Sequence, residues 1–293
     1  MIETRHLYYF LAVAREQNIT KAAQTLHITQ PTLSKQLMDL ENQLGKQLLI
    51  RGKRKITLTE EGRYLRGKAQ EMIDLMEKTE AVFSEDDETV RGDVYLGCGE
   101  TPVMEDITEI FRQIQKEYPE VHFHIYSGDA DSVLEKLDKG LLDIGLLLGP
   151  IRQEKYDYIN IHRKDIFGLL MPQDCPLAKR EYIDMDQLKE LPLILAQQTF
   201  LGHQELEWFG ADYSSMNIVA TYNLIYNATF MVKKGIGYAL CLADLVNTSD
   251  GSNLTFRPIR PDLSVELYIV TKKYETFSPA AKLFIRKIRE YEF

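Results

Sequence analysis

Between Thr20 and His27, small and apolar residues fall at Ala22, Ala23 and Leu26, positions that share one face of a short helix that Thr20 can cap. Ile28-Thr29-Gln30-Pro31 then breaks and restarts the helix: Thr29 is an N-cap type, and Pro31 suits a first turn, where its missing N–H had no partner anyway. Leu33, Leu37, Leu40 and Leu44 recur at intervals of four, three and four and predict the buried face of the second helix. Gln30, Thr32, Ser34, Lys35 and Gln36 belong to the outward set. Gly45 ends the helix. From Lys46 to Thr59, Leu48-Leu49-Ile50 and Ile56-Thr57-Leu58 flank Arg51, Lys53, Arg54 and Lys55 around Gly52, the pattern of a small basic hairpin. The segment therefore predicts a helix-turn-helix followed by a wing.

Residues 59–88 carry one uninterrupted helical pattern. Leu65, Ala69, Met72, Leu75, Met76, Thr79, Val82 and Phe83 form a heptad-like stripe, with Lys, Arg and Glu on the other faces. A lone helix cannot bury such a stripe. It packs on its own body or pairs with a second copy, and the pairing reading makes Leu65, Met72, Leu75, Met76 and Val82 the contact face. The acidic run Glu85-Asp86-Asp87-Glu88 marks the end of the helix. From Asp93 the pattern changes. Strands are expected at 94–98, 121–126, 143–148, 193–195, 237–242 and 265–271, and helices at 103–118, 131–139, 223–234 and 279–291. Strands alternating with helices predict an α/β body with largely parallel sheets.

Charge separates the same two parts. Residues 1–68 carry a net +6, while the whole chain is at −9 and residues 69–293 at −15. A basic head on an acidic body suits contact with phosphate at one end and repulsion at the other. At 293 residues the chain fits a small domain plus a larger one. No apolar run approaches the roughly 20 residues of a membrane helix, and Met1-Ile2-Glu3-Thr4-Arg5 opens no signal peptide, so a cytoplasmic location is expected. The three cysteines, Cys98, Cys175 and Cys241, are widely spaced and indicate neither a disulfide framework nor a zinc site.

The outward residues at the start of the second helix are short hydrogen-bonding groups plus a cation. Such residues read base edges in the major groove: Gln bonds adenine bidentately, and Thr or Ser reaches a base or a phosphate. An ordinary amphipathic hairpin would explain the helices but not the basic wing. Enzyme signatures are thin. Gly97-x-Gly99 lacks a third glycine and runs into Pro102, Gly235-x-Gly237 leads into a strand, and there is no Gly-x-Ser-x-Gly, HExxH or Walker motif. His122 and His124 share a strand face without a third ligand at useful spacing, and Cys98 has no neighbouring cation or resolving cysteine. No catalytic residue, metal or cofactor is expected.

These residues resemble the LysR-type transcriptional regulators. Leu7-x-x-Phe10-x-x-Val13-Ala14 is similar to that family's first helix, Ala22-Ala23-x-x-Leu26-x-Ile28-Thr29-Gln30-Pro31-Thr32-Leu33-Ser34 to its helix-turn-helix, and Leu40-Glu41-x-x-Leu44-Gly45 to the end of its recognition helix. Arg51-x-x-Arg54-x-x-x-Leu58-Thr59-x-x-Gly62 matches its wing, although Leu49-Ile50 stands where Phe and an acidic residue are more usual. Asp143-Ile144-Gly145 and Val232-x-x-Gly235-Ile236-Gly237 match looser patterns of its effector domain, with Leu242 in place of a frequent Pro.

The resemblance implies a winged helix-turn-helix at 1–58, a linker and dimerisation helix at 59–90, and a two-lobed effector domain at 91–293, shaped like a periplasmic solute-binding protein. Lobe I would take 93–161 and 266–293, and lobe II 162–265. It further implies a homo-oligomer that binds a partly palindromic double-stranded DNA site and answers to a small-molecule effector. Expected DNA contacts are Thr29, Gln30, Pro31, Thr32, Ser34, Lys35, Arg51, Lys53, Arg54 and Lys55. Ligands of open α/β sheets sit at the carboxyl ends of strands, and the matching rims are Glu100-Thr101-Pro102, Gly128 with Ala130, Leu148-Gly149 and Gln198-Thr199-Phe200. Thr101 could serve as the effector's hydroxyl donor or as a plain N-cap. Glu100, with no Arg or Lys in these segments, points to a neutral or cationic, partly apolar effector. An enzyme or solute-binding protein with an accessory DNA-binding head is the competing reading.

Overall fold

The structure is a computed structural model that describes residues 2–52, 55–83, 90–149, 154–197 and 216–293. The chain folds as two units, Met1–Ser84 and Glu85–Phe293.

The head packs α1 (Thr4–Glu16), α2 (Ile19–Thr25), α3 (Gln30–Leu44), the antiparallel pair β1 (Leu49–Arg51) and β2 (Ile56–Leu58), and α4 (Glu60–Val82). Helix α2 starts earlier than the sequence pattern predicts. Asn18, in extended conformation, accepts from the Lys21 N–H and is the cap in place of Thr20. Thr29 caps α3 as expected, with Pro31 in the first turn, and Gly45 closes the helix at φ 64°. Leu33, Leu37 and Leu40 enter a core built with Phe10, Val13, Ala22, Ala23 and Leu48. Leu44 does not; in the last turn it is left exposed.

The expected helix over 59–88 is shorter, Glu60–Val82, and it begins on a Thr59 cap that accepts from Gly62 N–H at 2.9 Å. Its stripe divides. Leu65 (8% exposed), Ala69 and Ile73 complete the head's own core, so Leu65 is withdrawn from the proposed partner face, whereas Met72 (52%) and Leu75 (44%) face outward. Met76 accepts a hydrogen bond from Thr4, and Glu77 one from Tyr8, which ties α4 to α1.

In the body, β3 (Gly92–Cys98), α5 (Met104–Glu117), β4 (Val121–Ser127), α6 (Ala130–Asp138) and β5 (Ile144–Leu148) follow the predicted alternation. A strand that the pattern missed comes next, the 17-residue β6 (Tyr156–Pro172). Short 3-10 turns and β7 (Ile183–Asp184) lead to β8 (Leu193–Ala196), β9 (Ile218–Tyr222), α7 (Ile225–Lys233), β10 (Tyr238–Leu242), β11 (Leu254–Arg260), β12 (Ser264–Lys272) and α8 (Pro279–Glu290).

The strand order is β4-β3-β5-β12-β6-β10-β8-β9, with β11 beside β6. The sheet is mixed. Pairs β3–β4, β3–β5, β8–β9 and β8–β10 are parallel, while β12, β6 and β11 run antiparallel to their main partners, which corrects the largely parallel expectation. Strands β6 and β12 join two half-sheets. Cores around Ile107, Ile114 and Phe284 and around Val133 and Val270 cover the faces of the first; cores around Leu169 and Leu188 and around Ile225 and Val232 cover the second.

Two glycines of α4 predict opposite outcomes. A Cβ on Gly62 would lie 2.2 Å from the Leu48 carbonyl oxygen, whereas at Gly67 nothing stands within 4 Å. Gly62→Ala should destabilise the protein by about 1–3 kcal/mol through overpacking, and Gly67→Ala should stabilise it by about 0.5–1 kcal/mol through helix propensity. Thermal unfolding of the two variants measures both.

Candidate nucleic-acid interface and effector crevice

Helix α3 presents its first turn to solvent. Gln30, Pro31, Thr32 and Lys35 are exposed and Ser34 is half-buried, with Gln30 Nε2 donating to Ser34 Oγ at 2.9 Å and the Thr29 and Thr32 hydroxyls 2.8 Å apart. Gln36 turns inward, its Oε1 3.1 Å from His6 Nε2, and so leaves the outward set. In the wing, Leu49 faces Leu58 and Arg51 faces Ile56, while the Gly52 N–H donates to the Lys55 carbonyl to close the turn. Arg51 and Lys55 are exposed, and neither forms an ion pair among the described residues. Lys53 and Arg54 lie outside the described residues.

Glu41, not singled out by the sequence reading of contacts, fixes the wing to the recognition helix. Its Oε1 accepts from Leu48 N–H at 2.7 Å and from Leu49 N–H at 3.0 Å. Glu41 is half-buried in the last turn of α3, and the sequence signal for it is the Leu40-Glu41-x-x-Leu44-Gly45 pattern that ends this helix just before the basic hairpin.

In the body, a cavity of about 90 Å³ opens between the half-sheets. The first half-sheet lines it with Gly99, Glu100, Gly128, Asp129, Ala130, Leu147 and Leu148; the second adds Ala196, Tyr222, Asn223, Leu224, Ile225, Cys241, Leu242 and Leu245; Phe167 and Val265 sit where β6 and β12 cross. Glu100, Gly128, Ala130 and Leu148 are thus brought together as expected. Thr101, Pro102 and Gly149 are not among its walls. Thr101 is 6% exposed and donates to Asp165 Oδ2 at 2.7 Å, so its hydroxyl proton is committed within the protein rather than offered to a ligand. Its oxygen also accepts from Val103 N–H, the role of a local cap. Gln198, Thr199 and Phe200 lie outside the described residues.

Tyr222, Asn223, Leu224, Ile225, Cys241, Leu242 and Leu245 are walls that the sequence pattern does not mark as such. The strand-end rule, applied to the strands before α7 and through Leu242, would have found them.

Glu100 crosses the cavity. Its Oε2 accepts from the Ile225 N–H, the first amide of α7, at 2.6 Å. Burial pushes this carboxyl above its ordinary pKa, while the bond to Ile225 pulls it back. Asp165 is raised by burial as well, against the lowering bond from Thr101 and the charge of Arg163. Burial, and then the charge of Glu100, push the Cys98 thiol up to about 11 and the Cys241 thiol to about 12.

Among the described residues no three His, Cys, Asp or Glu side chains gather around a point where a metal could bind. His124 is instead 2.8 Å from Asp93 and stacks on Tyr95. No helix of the described residues is long and apolar enough to cross a membrane.

Residues 4–63 match the family described as bacterial regulatory helix-turn-helix protein, lysR family, and residues 87–292 match the LysR substrate binding domain. The chain belongs to the LysR family. The Hca operon transcriptional activator HcaR of Escherichia coli strain K12 is 30% identical to this LysR-family chain over 295 residues, covering 99% of this chain and 98% of that one. The transcriptional activator IlvY of Salmonella typhimurium strain LT2 is 26% identical, covering 82% of both. The fold is that of full-length CbnR, solved with its target DNA, at a TM-score of 0.72 and 20% identity over 99% of each chain. The chain is therefore a LysR-type transcriptional regulator.

The raised thiols give a chemical test. Cys98 and Cys241 are buried and protonated at pH 8, whereas Cys175 is half-buried. Since the thiolate is the nucleophile, iodoacetamide should modify Cys175 more than about tenfold faster than either, as read by peptide mass spectrometry. Rapid alkylation of Cys98 would restore a redox role for it.

Proposed function

We propose that the head, 1–58, reads a partly palindromic DNA site and that 91–293 senses a small effector in the crevice, with 59–90 joining two copies. The observation that carries this is the exposed first turn of α3, with Gln30, Thr32 and Lys35, alongside a wing whose described cations have no acidic partner. Gln30 would exchange its bond to Ser34 for an adenine edge, Thr29, Thr32, Ser34 and Lys35 would position the helix, and Arg51, Lys53, Arg54 and Lys55 would hold phosphates. Two identical heads imply the symmetry of the site. A regulator of this kind acts on chromosomal DNA in the cytoplasm.

For the effector, the described cavity walls offer Glu100 and Asp129 and no Lys, Arg or His. Asp129 is used to cap α6, accepting from Ser132 N–H. An anionic ligand would meet Glu100's charge and find the first amide of α7 already taken. A neutral or cationic, partly apolar metabolite fits this lining better.

Titrations at several salt concentrations test the head. Gln30→Ala should lose discrimination at one base pair by about 1–3 kcal/mol. Arg51→Ala should weaken all sequences alike and lower the salt slope by about 1. A change of sequence preference in Arg51→Ala with an intact slope would remove the wing from the phosphate contacts.

The outer face of α4 makes the assembly prediction. Met72 and Leu75 are large, apolar and exposed, and Met76 and Val82 are half-buried beside them. Charges there would have to be desolvated in a helix pair, so Met72→Glu with Leu75→Glu should weaken self-association at least about tenfold in sedimentation equilibrium, and operator affinity with it. A variant that associates normally would place the interface elsewhere.

A further inference from the structure

We propose that Glu100 is a latch that holds the two half-sheets together across the crevice, and that a ligand opens the crevice by drawing Glu100 away from α7. The inference rests on reading that crevice as the effector site.

Helix α7 begins without a cap of its own: the residue at its N-cap position is Leu224, which has no side-chain acceptor. The first amides of a helix need partners from outside it. Glu100, carried on the β3–α5 loop of the first half-sheet, supplies one from 125 positions away, at 2.6 Å to Ile225 N. A carboxylate at a helix N-terminus is favoured by both charge-assisted bonding and the helix dipole.

The neighbouring residue anchors the same loop elsewhere. Thr101 donates to Asp165, on β6 at the crossing between the half-sheets. Two consecutive side chains therefore tie one loop to the far wall and to the connecting strand. No cation among the described lining residues neutralises Glu100, so its hold depends on this one amide and is open to competition from a ligand that donates to it. Release would free α7 and expose the wall behind it, where Cys241 is buried.

Hydrogen exchange and alkylation on the full-length chain, with no ligand added, test the latch. In Glu100→Ala the amides of the Leu224–Ala228 peptide should exchange about tenfold faster, and Cys241 should be alkylated about tenfold faster than in the unmodified protein. Cys98, which feels the same charge from Glu100, is the internal reference for any electrostatic effect.

Glu100→Gln keeps the size and one acceptor oxygen, and should raise both rates about threefold; it decides the matter if the alanine variant does not fold. Unchanged exchange overturns the latch, and so does faster exchange at α7 with Cys241 still protected, the result of a cap that gates nothing. The crevice reading stands or falls separately. Calorimetry of the unmodified full-length chain against a charge-sorted panel of small amines, sugars and carboxylates would overturn it by showing no binding, whatever the exchange result.

Discussion

Strand β6 pairs with β12 from Tyr156 to Ile166 and then, without a break in the chain, with β10 and β11 as far as Pro172. A strand bonded on its edges over such a length bends only where the ladder is irregular. The irregularities are close together: β12 shifts register between Glu266 and Tyr268, and His162 on β6 has φ 58°. Polar side chains gather there. Glu266 accepts from the Tyr268 hydroxyl at 2.6 Å and from Asn160, Arg163 pairs with Asp106 of α5, and Asp165 holds Thr101. The crossing is thus where the ladder is irregular and where polar bonds hold it, and the cavity sits beside it, with Phe167 and Val265 in its wall.

The head meets a different demand, which is rigidity. A recognition helix is useful only if its first turn and the wing keep a fixed spacing, because base edges and phosphates do. Three contacts impose it. Glu41 bonds the start of β1, Thr59 donates to the Gln47 carbonyl while capping α4, and Gly62 lets α4 approach the Leu48 backbone. The segment 47–49 is held by α3, by the Thr59 cap and by α4 at once.

Local patterning made the head legible. Its helix stops and starts are written in caps and punctuating residues, and its core in a leucine repeat; among the described residues of α1 to α3, Asn18, Gln36 and Leu44 departed from the pattern. The body was legible in β3, β4, β5, β8, β10 and β12, whereas the short strands β7, β9 and β11 were not expected. Nor was it legible where β6 runs through His162-Arg163-Lys164-Asp165, since a strand at a crossing is neither half-buried nor wholly buried and shows no period. The stripe on α4 misled in part because intrachain packing and pairing between chains ask for the same residue types; Leu65 and Met72 look alike in sequence and part company in burial. The cavity walls from the second half-sheet were missed for a related reason. Most are apolar residues with no chemistry of their own to mark them, and their position at strand ends was the available signal.

The start of α7 has a consequence for how this body can be divided. A helix whose first amide is bonded by a side chain from another part of the chain is not a self-sufficient building block. Cut out, or grafted onto a homologous first half that lacks a carboxylate at position 100, the segment from Tyr222 to Lys233 would carry an unsatisfied end into its new setting. A substitution faces the same restriction: without the carboxylate at position 100 the Ile225 amide loses its partner unless position 224 gains an acceptor, so the two halves of the sheet share one helix end.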